Sequence, residues 1–487
     1  MATVKRTIPP ALSRLPAGAP TRRDALVQML GDAIAADVLP AELALPSCRV
    51  LAAAHGMSKN TVQAAYDRLV ELGLVQVRPK SGYFVAMVQG PPPGFPVTAT
   101  ARSALTFPEP RPSSLPRVRH PPGWRESRFP FVYNQIDPTL FPIEAWRECS
   151  RLALGKRGLA ELTADDEAGD NPHLVSHLRK RLLAHRGIAA SEGEIMVTLG
   201  TQNVIALAGL LVRPIAGMIA VEDPGYPDAR NAFALTGNAV APVPVDGEGL
   251  RVDLIPPRCK LVYVTPSHQF PTGVTLSFAR RHALLAAAEQ HDFLILEDDY
   301  EADLEPSLSL PTLRSLDRHG RVIYASSLSK TLSPSLRLGF MVAPPDLIEE
   351  AKALRHALLR HAPTAVQETA ALFIGLGHYD THLRRLNRDM ALRRLAMHKS
   401  LALHLGQTGV TAELGGGTSV WLTGPRGLDC DLLARDLAAV GVIVDPGRIF
   451  YADQDVRDSF RMGFAAIAPK LIEDGCRLVA RLLTAGR

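Results

Sequence analysis

The run Ser326-Ser-Leu-Ser-Lys330-Thr-Leu-Ser-Pro-Ser-Leu-Arg337-Leu-Gly339 decides the fold. It follows the apolar stretch Val322–Ala325 and sets one lysine among serines and small residues. A lysine held in a pocket loses its proton readily and condenses with an aldehyde as a Schiff base. Taken alone, Lys330 reads better as an exposed, solvated side chain. Its neighbours reverse that reading. Ser327 and Arg337 flank it and suit a phosphate, the arginine through a bidentate fork.

From about residue 129, short apolar strands alternate with helical patterns. Strands are predicted at Ile195–Thr198, Met218–Val221, Leu261–Val264, Phe293–Leu296, Val322–Ala325 and Gly339–Ala343. This alternation predicts an α/β fold, a mostly parallel sheet covered by helices. Ligands of such sheets lie outside the carboxyl ends of the strands. Polar runs follow nearly every predicted strand here: Leu199-Gly-Thr-Gln-Asn203, Glu222-Asp-Pro-Gly-Tyr226, Thr265-Pro-Ser-His-Gln-Phe-Pro-Thr-Gly273, Glu297-Asp-Asp-Tyr300, and the Lys330 run. Gly200, Thr201 and Gln202 sit where a strand turns into an apolar helix, so free N–H groups and the helix dipole point at an anion. Asp298 ends a buried strand, where a carboxylate is costly unless paired. A protonated pyridine nitrogen is a fitting partner. Tyr300 can donate to a phenolate oxygen, and Tyr226 offers a flat face for stacking.

These motifs, with the late Phe460-Arg-Met-Gly-Phe464, resemble the fold-type I aminotransferases over roughly residues 130–480. The resemblance implies a large sheet domain with a smaller C-terminal subdomain and pyridoxal 5'-phosphate as cofactor. It implies Lys330 as the Schiff-base lysine, Asp298 on the ring nitrogen, Tyr300 near the phenolate oxygen and Tyr226 stacked on the ring. Arg461 is then expected to clamp a carboxylate. Two departures stand out. The family's His-Asn-Pro-Thr-Gly is here His268-Gln-Phe-Pro-Thr-Gly273, one residue longer, which leaves the ring-oxygen contact open between His268 and Gln269. Ala164 stands where many relatives carry a tyrosine that reaches the partner subunit's phosphate.

Ahead of this body lie ten prolines between Gln89 and Pro122. Proline fixes its own φ and biases the preceding residue toward extended backbone, so residues 88–128 are expected to form a tether. Before the tether, Leu26, Met29, Leu30, Ala33 and Ile34 recur at helical spacing, with Thr21 as N-cap. A short helix over residues 49–55 capped by Ser47, a turn at Gly56, and a helix capped by Ser58 and stopped by Gly73 follow. That order is a helix-turn-helix. A hairpin then carries the basic tip Arg78-Pro-Lys-Ser-Gly82.

Residues 20–87 resemble the GntR family of winged-helix regulators through Leu45-Pro-Ser-Cys-Arg49, Ser58-Lys-Asn-Thr-Val62 and Ala65-Tyr-Asp-Arg-Leu69. The resemblance implies DNA contacts at Arg49, Lys59, Asn60 and Thr61. Ser58, Lys80 and Gly82 are added as the helix N-terminus and wing tip that meet phosphate. Winged helix, tether and aminotransferase-like body (129–487) together resemble the MocR subfamily of bacterial transcription regulators. That resemblance implies a regulator sensing pyridoxal phosphate, or an amino compound through it, on double-stranded operator half-sites. It also implies a head-to-tail, domain-swapped homodimer. An aminotransferase with an attached DNA-binding domain, and a repressor whose body is an inert dimerisation scaffold, are the alternatives.

Composition agrees. A chain of 487 residues, 46% hydrophobic and 21% charged, is globular and multidomain. Net charge is +4 over residues 1–86 and +4 over 87–128, leaving −3 for the body. A basic front on a mildly acidic body suits nucleic acid. Five scattered cysteines without a C-x-x-C pair argue against disulfides and structural zinc, and no metal site is expected. Without a signal peptide or membrane segment, a cytoplasmic protein is expected.

Overall fold

The computed structural model describes residues 12, 15–16, 18–87, 112–132, 135–164, 169–215, 217–301, 303–304 and 310–485. The expected tether thus lies largely outside the described residues. Contacts divide the chain into Met1–Phe107 and Pro108–Arg487.

In the first unit each helix begins where a hydroxyl can take an unpaired N–H. Thr21 accepts from Asp24 N, Ser47 from Val50 N and Ser58 from Thr61 N, opening α1 (Arg22–Ala35), α2 (Cys48–His55) and α3 (Lys59–Glu71). Gly56 ends α2 at φ 58°, in the left-handed region where glycine carries no steric cost. Arg22 reaches across to the carbonyls of His55 at 2.5 Å and Gly56 at 3.2 Å, pinning the turn between α2 and α3. Leu26, Leu30, Leu51, Val62, Tyr66, Leu69 and Val85 form the core, and Leu12 joins it. Strands β1 (Val75–Arg78) and β2 (Gly82–Val85) pair antiparallel, Arg78 opposite Gly82. At the tip Ser81 N donates to Arg78 O at 3.0 Å, with Pro79 second and Lys80 third at φ 63°. Proline followed by a positive φ is the type II pattern.

The second unit is built on eight strands: β3 (Ile195–Thr198), β4 (Met218–Asp223), β5 (Ala239–Asp246), β6 (Gly249–Leu250), β7 (Cys259–Val264), β8 (Leu294–Asp298), β9 (Val322–Ser327) and β10 (Gly339–Val342). Their order is β3-β10-β9-β8-β7-β4-β5-β6. The run from β9 through β5 is parallel; β10 is antiparallel to both neighbours, and so is β6 to β5. All six expected strands are present. The periodicity missed β5, which carries Pro242 and Pro244 and over residues 239–244 pairs only with β4. Proline belongs on such an edge because it has no N–H for a second ladder.

A smaller antiparallel sheet follows: β11 (Thr411–Glu413), β12 (Ser419–Thr423), β13 (Asp445–Pro446) and β14 (Ser459–Gly463), in the order β11-β12-β14-β13. The helix Pro469–Ala485 and the end of the 27-residue helix His378–His404 cover it. Within residues 112–128, Pro116 O accepts from Asn231 at 2.6 Å. Among the described residues no helix is long and apolar enough to cross a membrane.

Candidate cofactor site and nucleic-acid interface

Because the parallel strands end at one side, their polar runs converge there. Gly200, Thr201, Gln202, Tyr226, Asp298, Tyr300, Ser327, Lys330 and Arg337 line one open cleft. Tyr263, Thr265, Phe270 and Ser329 line it too and were missed by the sequence reading. Ser329 was legible in the lysine run itself.

The cleft has a phosphate-sized end. Gly200 (φ 85°) stands ahead of the helix Thr201–Val212, whose first N–H groups have no helical acceptor. A Cβ on Gly200 would lie 3.9 Å from the Arg337 guanidinium and 4.0 Å from Ser329 Oγ, so these groups surround one point. Gly339 makes this approach possible, since a Cβ there would come within 2.7 Å of Gly200 Cα and 2.8 Å of Ser326 O. Arg337 itself is held at φ 49°.

At the other end Asp298 is 3% exposed. Tyr263 donates to its Oδ2 at 2.9 Å, while Oδ1 is buried with no hydrogen-bond partner. Burial raises this carboxyl to about 7 against the pull of Tyr263. Lys330 lies 5.5 Å from the centre of the Tyr300 ring. Burial draws its ammonium down to about 8, opposed by Glu301 and Asp298 and assisted by Arg461.

Phe270, the extra residue of the longer loop, sits among aromatic rings: Tyr226 at 5.3 Å, Tyr300 at 6.1 Å and Phe450 at 5.5 Å. The Arg461 guanidinium lies 5.1 Å from its ring centre. Arg461 is 2% exposed, 3.4 Å from Asp445, and lines a second cavity with Lys330, Thr418, Leu386 and Met390. Neither candidate for the ring-oxygen contact reaches the cleft lining. Gln269 donates to Pro224 O and Phe270 O and accepts from Thr272 N and Oγ1, which exhausts its amide. His268 stands beside Glu301 at 4.0 Å instead. Ala164 is exposed.

The donor set fits pyridoxal phosphate. An orphaned buried carboxylate oxygen suits a ring N–H, an amine of lowered pKa suits an aldehyde, and the Gly200–Arg337 cradle suits a phosphate. Among the described residues no cluster could hold a metal ion.

In the first unit Arg49, Ser58, Lys59, Asn60, Lys80 and Gly82 are exposed and Thr61 is half-buried. The first turn of α3 has no acidic residue. The Ser58 hydroxyl is committed to its cap, 2.8 Å from Thr61 Oγ1.

The model of the bacterial regulatory proteins of the gntR family matches residues 22–85, and that of aminotransferase class I and II matches 145–479. The HTH-type transcriptional regulator TauR of Rhodobacter capsulatus is 39% identical over 90% of this chain and 92% of its own. "Probable rhizopine catabolism regulatory protein MocR" of Rhizobium meliloti is 30% identical over 92% and 91%. The chain belongs to the MocR subfamily of GntR-type transcription regulators. Its MocR-type body is also similar to enzymes. Aromatic-amino-acid aminotransferase 1 of Thermococcus litoralis is 30% identical over 71% of this chain and 85% of its own. Kynurenine aminotransferase of Pyrococcus horikoshii, solved with PMP, superposes with a TM-score of 0.68 at 27% identity, covering 74% of this chain and 92% of that one.

Proposed function

We propose that this regulator binds pyridoxal 5'-phosphate at Lys330 and responds to it, or to an amino compound that meets it there. The observation that carries this reading is the single cleft in which Lys330, the orphaned Oδ1 of Asp298 and the Gly200–Arg337 cradle face one another. The cofactor supplies an aldehyde for an amine and an electron-accepting ring.

The chain's residues do the rest. Lys330, drawn down to about 8, presents a usable fraction of neutral amine at physiological pH. Arg337, Ser327, Ser329 and the N–H groups at Thr201 and Gln202 hold the phosphate. Asp298 accepts the ring N–H, Tyr300 donates to the ring oxygen, and Tyr226 walls one face. Arg461 receives an effector's carboxylate or similar anion. Arg49, Lys59, Asn60 and Thr61 meet DNA, with the Ser58 turn and the Lys80–Gly82 tip on phosphate. If two arrangements of the body bind ligand unequally, ligand shifts their populations and with them the presentation of two winged helices to paired half-sites. A head-to-tail homodimer supplies the pair.

The test is footprinting at fixed salt on the DNA upstream of its own gene, apo and with pyridoxal phosphate, for wild type and Lys330→Ala. A ligand-dependent pattern lost in a folded Lys330→Ala protein is the expected result. An unchanged response in that variant overturns the reading. The likeness to Thermococcus litoralis aromatic-amino-acid aminotransferase favours one second reading, an enzyme with an attached DNA-binding domain. Repeated turnover, rather than one conversion per bound cofactor, supports it.

A further inference from the structure

The end of the proline-rich segment is seated on the wall of the cofactor cleft. Pro116 O accepts from Asn231 Nδ2 at 2.6 Å. Asn231 lies on the helix Pro227–Leu235, whose N-cap is Tyr226, a residue of the cleft lining. Two residues beyond Pro116, the half-buried Val118 packs against a cluster of three buried rings, Phe270, Trp421 and Phe450. Tyr226 and Tyr300, on the cleft side, pack against the same cluster. Arg119, His120, Pro121 and Pro122 then line a groove with Asp431 and Ala434 of the helix Cys430–Ala439, which packs on the smaller sheet. Residues 116–122 thus run from a helix beside the large sheet to one beside the smaller.

Phe270 joins the cleft to this segment. It is buried, lines the cleft and belongs to the cluster that seats Val118. Its ring meets Tyr226, Tyr300 and Phe450 edge-on, at interplanar angles of 78°, 84° and 74°. Arg461 lies against the same ring. The groups assigned above to a cofactor ring and to an effector's anion therefore all bear on one side chain. Edge-to-face rings hold one another by direction as well as by area. A close-packed cluster has few arrangements, so a shift in one ring repacks its neighbours. The segment on the far side is stiffened by proline at 112, 116, 121 and 122, so it absorbs little of a change in its seat.

We propose that Pro116–Val118 is a latch, seated on the Phe270 cluster, which ligand in the cofactor cleft holds more firmly. A filled cleft gives Tyr226 and Tyr300 a packing partner and so favours the arrangement of rings that seats Val118. With the latch shut, the free tether ends at Pro116. With it open, the tether runs on toward Phe129, which is buried in the body. Ligand thereby sets the length of free chain between winged helix and body, and with it the winged helix's reach. This deepens the regulator reading and rests on the cleft around Lys330 being the ligand site.

The test is trypsin cutting of the full-length protein, read as initial rates by mass spectrometry, without and with pyridoxal phosphate. Arg117 and Arg119 are exposed and flank Val118, so cutting there reports the opened latch. Exposed Lys80, at the wing tip, is the control site. Ligand should slow cutting at Arg117 and Arg119 by about fivefold and leave Lys80 unchanged. Val118→Asp should speed apo cutting there and abolish the effect of ligand. Because coupling is reciprocal, it should also weaken pyridoxal phosphate binding by the factor by which ligand slows cutting in wild type. Asn231→Ala should act in the same direction, and Val118→Leu should keep wild-type behaviour. Cutting unchanged by ligand, in a wild type that binds pyridoxal phosphate, overturns the proposal and leaves the cofactor reading standing. So does a Val118→Asp protein that is cut faster but binds pyridoxal phosphate as wild type does, since the contact is then structural only. Wild type that shows no binding in an absorbance titration sinks the cofactor reading and the proposal together.

Discussion

Tyr263 donates its hydroxyl to one oxygen of Asp298 at 2.9 Å and leaves the other oxygen buried and unbonded. The tyrosine thus fixes the rotation of a carboxylate that lines the cleft. Tyr263→Phe should keep the fold and weaken pyridoxal phosphate binding about tenfold, the worth of one hydrogen bond to a charged group. Equilibrium titration of the apo protein with cofactor measures this. Unchanged affinity would mean that Asp298 is oriented by its strand alone.

The raised pKa of Asp298 makes a pH prediction of definite sign. Unfolded, the group ionises near 3.8; folded and apo, near 7. The native state therefore holds the extra proton between those values, and stability falls as pH rises through that window. Asp298→Asn removes this slope. Apo Asp298→Asn should accordingly gain thermal stability relative to wild type as pH rises from 4 to 7. Unfolding scans of both proteins in matched buffers check it.

Gly339 stands where β10 passes the turn at Gly200. Gly339→Ala puts a methyl within 2.8 Å of two backbone atoms, so the phosphate end of the cleft must open. A loss of cofactor affinity of more than tenfold, with a winged helix that still binds DNA, is expected. Calorimetry with pyridoxal phosphate and a gel-shift assay separate the two.

Lys80 holds a positive φ at the wing tip with its side chain in solvent. Lys80→Gly should relieve the backbone by up to about 1 kcal/mol while removing a charge proposed to meet phosphate. Stability unchanged or raised, DNA affinity lowered, and a salt slope shallower by about one form the expected signature. Lys59→Ala should share the shallower slope without the gain in stability.

Much of this architecture could be read from residue order. The hydroxyl caps at Thr21, Ser47 and Ser58 sit where the sequence places them, because a cap is a local bond. Buried strands such as Ile195–Thr198 carry an unbroken apolar run and announce themselves. Less legible was what depends on distant chain. Tyr263 looks like one more strand residue until β8 brings Asp298 beside it. Gln269 looks like a ligand for the ring oxygen until its amide is found holding Pro224 and Thr272. Glu301 looks like one more loop residue until Thr418, 117 positions away, donates to it. Strand β5 hid because its side chains alternate between solvent and core and its prolines read as breakers.

Those prolines have a consequence beyond the fold. The outer border of β5 lacks amide donors at 242 and 244, so a foreign strand could form no unbroken ladder along it. Growth of the sheet from that side is thereby disfavoured. At that border two copies of this chain are hindered from the edge-to-edge pairing that ends in insoluble fibres.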